Sequence, residues 1–113
     1  MPLEISQREA APGTVVITLA GKLMLGPDGE EIPAMVERLL AGGTKTIVFD
    51  LAGLTVIDST GIGRFIASYN KIAAVGAEMR MAGATGHLFH SFHVSLLDQV
   101  FPFFDTVDAA LVG

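Results

Sequence analysis

The 113-residue sequence contains no cysteine, which excludes disulfides and thiolate-bound metal while leaving the compartment open. Positive charge is also scarce: 7 Lys and Arg stand against 12 Asp and Glu, a formal net charge of −5. Arg80 is the last Lys or Arg in the chain. A duplex-binding protein needs a basic footprint to displace counterions from phosphate. Direct nucleic-acid binding is therefore not expected, and any role in transcription would pass through a protein partner. No apolar stretch approaches the roughly 20 residues that cross a bilayer, so no membrane insertion is expected. Met1-Pro2-Leu3-Glu4 lacks the basic segment and apolar run of a secretory signal. A cytoplasmic protein is the simplest expectation. Long charge runs are few, and 50% of the residues are hydrophobic, which argues against disorder. The length suits one domain, residues 1–113, around one modest core.

The pattern along the chain reads as strands alternating with helices. Leu3 to Glu9 is a first short strand, Pro12-Gly13 a turn, and Val15, Ile17 and Leu19 mark a second strand. Gly21, Gly26, Pro27 and Gly29 punctuate a loop. Ile32, Met35, Val36, Leu39 and Leu40 then follow helical spacing, with Glu30 and Glu31 in the first turn and Gly42-Gly43 as the stop. Thr46 to Leu51 is a continuous apolar run, as expected of a strand buried on both faces, and Leu54 to Ile57 is a second apolar piece. Ile62, Phe65, Ile66, Tyr69, Ile72 and Ala73 mark a second helix, and Met79 and Met81 a fourth strand. Thr85 is placed to cap a third helix with Leu88, Phe89, Phe92 and Leu96 inward. Val100 to Phe104 reads as a last strand that Pro102 confines to an edge. Asp105 or Thr106 would cap a terminal helix through Leu111. The expected fold class is α/β: a mixed, mostly parallel sheet of four to five strands packed with about four helices.

Chemistry concentrates in Asp58-Ser59-Thr60-Gly61, between the buried strand and the second helix. Asp58, Ser59 and Thr60 can each cap orphan N–H groups at a helix start, so the segment could be a cap and nothing more. Gly61 and Gly63 lie in the first turns, where each costs about 1 kcal/mol relative to Ala. Glycine at those positions suits a close approach to the backbone. Thr60, Gly63, Arg64, Ala67, Ser68 and Lys71 fall opposite the apolar stripe, as a partner seat or a solvated face. A phosphate on Ser59 would bring nearly two negative charges to a helix N-terminus, where the dipole and free N–H groups tolerate an anion. A partner packed over the loop would meet that hydrated charge and be expelled.

These residues resemble the STAS family and, within it, the bacterial anti-sigma factor antagonists. The resemblance rests on Ile47-Val48-Phe49-Asp50-Leu51, on Val56-Ile57-Asp58-Ser59-Thr60-Gly61-Ile62-Gly63, and on Tyr69, Lys71 and Gly76-Ala77-Glu78-Met79. It implies a STAS-like single domain that is not an enzyme. It also implies that Ser59 is the phosphoacceptor of an anti-sigma factor that is itself a serine kinase. The unphosphorylated form would bind that kinase and free the sigma factor, and phosphorylation would block binding. Asp58, Thr60, Gly61, Gly63, Arg64 and Ser68 would form the partner-binding surface. ATP would come with the kinase, since this chain has no phosphate-cradling motif and calls for no cofactor. One position departs from the pattern. Many antagonists follow the Gly, charged and apolar residues that end the second strand with Asp, whereas Gly21-Lys22-Leu23 is followed here by Met24. The loop from Leu25 to Gly29 is expected beside Ser59, so the change bears on partner recognition. STAS domains also serve in stress-signalling and lipid-transport complexes, which makes a constitutive scaffold subunit the alternative.

Other constellations are weaker. His87, His90 and His93 recur at i, i+3 and i+6 and spread over roughly 120° of a helix, too wide an arc for a shared metal site. Ser59 lacks the Gly-x-Ser-x-Gly context of a nucleophile elbow, and Gly61-Ile62-Gly63 is too short for a dinucleotide fingerprint. Phe101, Phe103 and Phe104 read as core, and their exposure would instead point to a homodimer.

Overall fold

The computed structural model describes residues 2–113, so Met1 lies outside it. Strand β1 (Glu4–Ala11) turns into β2 (Thr14–Leu23) as an antiparallel hairpin. A 3-10 turn (Pro27–Glu30) opens α1 (Glu31–Ala41), followed by β3 (Thr46–Ile57), α2 (Ser59–Ala74), β4 (Glu78–Ala82) and α3 (Gly86–Val94). A second 3-10 turn (Leu97–Gln99), β5 (Phe103–Phe104) and α4 (Val107–Val112) complete the chain. The sheet order is β1-β2-β3-β4-β5, with every pairing after the hairpin parallel. The expected mixed, mostly parallel α/β fold is what forms.

The layering follows from that order. Each crossover from β2 to β5 steps to the adjacent strand in one direction, and right-handed crossovers of that kind lay their helices on one face. Accordingly Ile32 and Val36 of α1, Phe65 and Ile72 of α2, and Leu88 and Phe92 of α3 share one core with Ile17, Ile47, Phe49 and Leu51 of the sheet. Phe65 is central, edge-to-face with Phe49 at 5.2 Å and with Phe92 at 5.6 Å between ring centroids. The opposite face carries a smaller cluster in which Ala110 of α4 packs on Val16, Val48 and Ala82. Phe101 is buried, and Phe103 and Phe104 are half-buried, one packed in each cluster.

Several boundaries differ from the sequence reading. The second strand continues through Gly21 to Leu23, so the loop begins only at Met24. Gly21 has φ +98 at a register shift, and a Cβ there would lie 2.4 Å from the Pro2 carbonyl oxygen. The glycine is thus a close-packed bulge within a strand. Likewise β3 absorbs Leu54 to Ile57, its register against β2 shifting where the pattern breaks. The last strand shrinks to Phe103–Phe104, because Phe101 N–H closes the preceding turn on Leu97 O at 2.7 Å. Pro102 stands just before it on the sheet edge and accepts from Met81 N–H through its carbonyl. Leu96 does not point inward: α3 ends at Val94, and Leu96 has φ 62 and is 60% exposed. Thr85 sits at the α3 N-cap without a side-chain cap bond, whereas Thr106 caps α4 by accepting from Ala109 N–H at 3.1 Å.

Candidate functional site

Parallel strands send their following loops out at one end of the sheet, the usual place for sites in α/β folds. The segments after β2 and β3 therefore meet. Asp58 joins them. Its backbone is extended (φ −109, ψ −176), and its Oδ1 accepts from Gly61 N–H at 2.8 Å as the N-cap of α2. Its Oδ2 accepts from Leu25 N–H at 2.9 Å, across 33 residues of sequence. The loop that departs from the antagonist pattern at Met24 is thus fastened to the residue beside Ser59. The Gly61 N–H bond holds the Asp58 carboxyl below the usual carboxylate range; partial desolvation opposes this, and the Leu25 N–H bond reinforces it. Asp58 is an anion at neutral pH.

This geometry separates the two roles the sequence left open. Asp58 is the cap, and Ser59 stands at the first helical position, exposed, with no side-chain hydrogen bond among the described residues. Its hydroxyl is not used by the fold.

The glycines also divide. A Cβ on Gly61 would lie 2.6 Å from Leu23 O and 2.8 Å from Ile57 Cγ1, so Gly61 is dictated by packing of α2 onto the ends of β2 and β3. A Cβ on Gly63 would meet nothing within 4 Å. The fold does not require glycine there.

The helix face differs from the one read from the sequence. Ser68 is fully buried and donates to Arg64 O at 2.8 Å, so it is not available as a partner contact. Arg64 reaches Glu30 at 3.9 Å, and Lys71 reaches Glu37 at 3.6 Å. The face bearing Arg64, Ser68 and Lys71 therefore seats α1 of the same chain, its small residues allowing close helix approach. Arg64 also packs against Gly29, whose Cβ would come 3.3 Å from the guanidinium Nε. The outward face is Ser59, Gly63, Ile66 and Asn70, at helical spacing, with Thr60 half-buried beside it. Ile66 is exposed, contrary to its place in the expected core stripe. The signal that could have corrected this is the 4-3-4 spacing of Gly61, Phe65, Ser68 and Ile72, which form the buried side. Sequence reasoning also missed Leu25, 81% exposed at the fastened loop.

Beyond Ile57, an open groove of about 240 Å³ runs between Thr55 and Val56 of β3 and His87, Leu88 and Ser91 of α3. The three histidines do not converge. His87 lines that groove, while His93 Nδ1 is 2.8 Å from Asp98 Oδ2. Among the described residues no group of three or more metal-ligating side chains is placed to hold an ion, and no helix is long and apolar enough to cross a membrane.

Comparison with known proteins agrees with this architecture. No curated protein sequence is similar enough to match. Among solved structures, an anti-sigma factor antagonist from Mycobacterium paratuberculosis is 20% identical, with a TM-score of 0.82 over 98% of this chain and 92% of that one. The Bacillus cell-fate determinant SpoIIAA, in its phosphorylated form, is 23% identical, with a TM-score of 0.76 over 96% of this chain and 97% of that one. A sulfate transporter family protein from Wolinella succinogenes is 16% identical, with a TM-score of 0.82 over 93% of this chain and 87% of that one. At such identities the likeness speaks for the fold. The STAS domain family model matches residues 6–110, and the chain belongs to the STAS domain family.

Proposed function

We propose that this chain is an anti-sigma factor antagonist with a phosphorylation switch at Ser59. The observation that carries the proposal is the division of labour at the head of α2. Asp58 caps the helix, which leaves the Ser59 hydroxyl exposed and unbonded. The unphosphorylated chain binds an anti-sigma factor that is also a serine kinase, through Ser59, Thr60, Gly63 and the exposed side of α2. Asp58, Gly61 and Arg64 shape this surface, and Ser68 supports it from within. Phosphoryl transfer from ATP to Ser59 Oγ leaves ADP, with the hydroxyl proton taken by a base of the kinase. The fold tolerates the new dianion at a helix N-terminus, but a packed partner does not. Such an encounter belongs in the cytoplasm.

The test is a pull-down with the anti-sigma factor serine kinases of the same organism. Ser59→Ala is expected to bind constitutively and Ser59→Asp poorly. Equal binding of the two would remove the switch.

The likeness to a sulfate transporter family protein favours a second reading, a constitutive scaffold subunit. In that case Ser59 accepts no phosphate from the kinase and ATP, yet the α2 face is still needed for assembly.

A further inference from the structure

The loop between β2 and α1 holds two exposed apolar side chains, Met24 at 45% and Leu25 at 81%. Single exposed apolar residues are common on protein surfaces, but here two adjacent ones occupy a loop tip, a place that ordinarily carries polar or turn-forming residues. Looseness does not account for them, because the loop is fastened at both ends. Leu25 N–H is held by Asp58 Oδ2 at 2.9 Å. At the other end Gly29 packs against Leu23 and Arg64, and Arg64 reaches Glu30. The backbone is held while the side chain projects, so little conformational freedom remains to be lost on binding.

We propose that Leu25, with Met24 beside it, is the specificity-determining anchor of this chain and inserts into an apolar socket rimmed by Lys or Arg on the protein that covers Ser59. This rests on the reading of Ser59 as a partner-facing switch. Charge argues for that occupant. Asp28 follows the anchor and ionised Asp58 lies behind it, while Glu30 and Glu31 are paired with Arg64 and Arg38, and Lys22 is the nearby cation outside an ion pair among the described residues. A second copy of this chain meeting the patch symmetrically would set acid against acid. An anionic lipid surface would be repelled in the same way. A partner whose socket is basic at the rim and apolar at the centre complements both features.

The experiment measures the affinity of the purified, full-length serine kinase for the unmodified chain, Leu25→Ser, Leu25→Met, Ser59→Ala and Ser59→Asp, with thermal unfolding of each. Leu25→Ser is expected to weaken binding at least tenfold with its unfolding midpoint unchanged. Leu25→Met is expected to bind within threefold of the unmodified chain. Binding of Leu25→Ser within twofold, while Ser59→Ala and Ser59→Asp still differ, overturns the anchor and leaves the switch standing. If Ser59→Ala and Ser59→Asp bind alike, the switch fails, and the anchor falls with it, because the bound protein does not cover Ser59. Self-association of the unmodified chain that Leu25→Ser abolishes would also overturn the proposal, because the occupant would then be a second copy.

Discussion

Two glycines two positions apart in α2 do opposite work. Gly61 has no room for a side chain, since a Cβ would press on the Leu23 carbonyl and on Ile57. Gly61→Ala is expected to cost about 1–3 kcal/mol as an overpacked contact, read from the urea midpoint. Gly63 faces open space, and alanine is the better helix former there. Gly63→Ala is expected to stabilise the fold by about 0.5–1 kcal/mol while weakening the kinase, because a partner that approaches the bare backbone meets a methyl group. Unchanged affinity in that variant would mean that the partner does not approach there. Asp58 gives a pH dependence. Its folded-state pKa lies below the unfolded value, so its contribution is present above the unfolded carboxylate range near pH 4 and is lost as pH falls through the lowered value. Asp58→Ala is expected to lower Tm by a few degrees at pH 7, and the gap to the unmodified chain should close on acidification below about pH 4.

At the scale of elements, α2 is both a core helix and a display helix. Phe65 and Ile72 enter the main core, Ser68 lies under α1, and Ser59, Gly63 and Ile66 look outward. The ion pairs from Arg64 to Glu30, just before α1, and from Lys71 to Glu37 of α1 are partly exposed and contribute little energy. The closeness permitted by small side chains matters more. Ser68→Leu is expected to destabilise by about 1–3 kcal/mol through overpacking between α1 and α2, measured by urea denaturation. A shift within about 0.5 kcal/mol would be the behaviour of a surface position. At the head of the same helix, Ser59→Asp adds an acid where the dipole favours one. Its stability is expected to stay within about 0.5 kcal/mol of the unmodified chain. That result would separate loss of binding from loss of folding.

The whole molecule carries a formal charge of −5, and the surface around Ser59 and Leu25 shares that sign. Association with a basic-rimmed partner is expected to slow several-fold between low and high salt, as stopped-flow mixing would report, with much less change in dissociation. At the same scale lies the reason a site exists at all. Three parallel crossovers stepping one way place α1, α2 and α3 on one face and gather the loops after β2 and β3 at one end.

The local sequence determined the alternation of strands and helices, a helix start within Asp58-Ser59-Thr60 and the prominence of Ser59, because caps, glycines and apolar periodicity act over a few residues. It misjudged Gly21, Ser68, Ile66 and Leu96. A glycine in a bulge looks like a glycine in a loop, and a small polar residue beneath a neighbouring helix looks like one in water. Only the tertiary structure decided which side of α2 receives α1 and which is left for a partner. It also decided that Asp58 rather than Ser59 caps the helix, and that the same carboxylate reaches Leu25 across 33 residues. The seat of α1 on α2 and the Leu25 contact join segments distant in sequence, which no local pattern encodes, while the Asp58 cap spans three residues and had three adjacent candidates in the sequence.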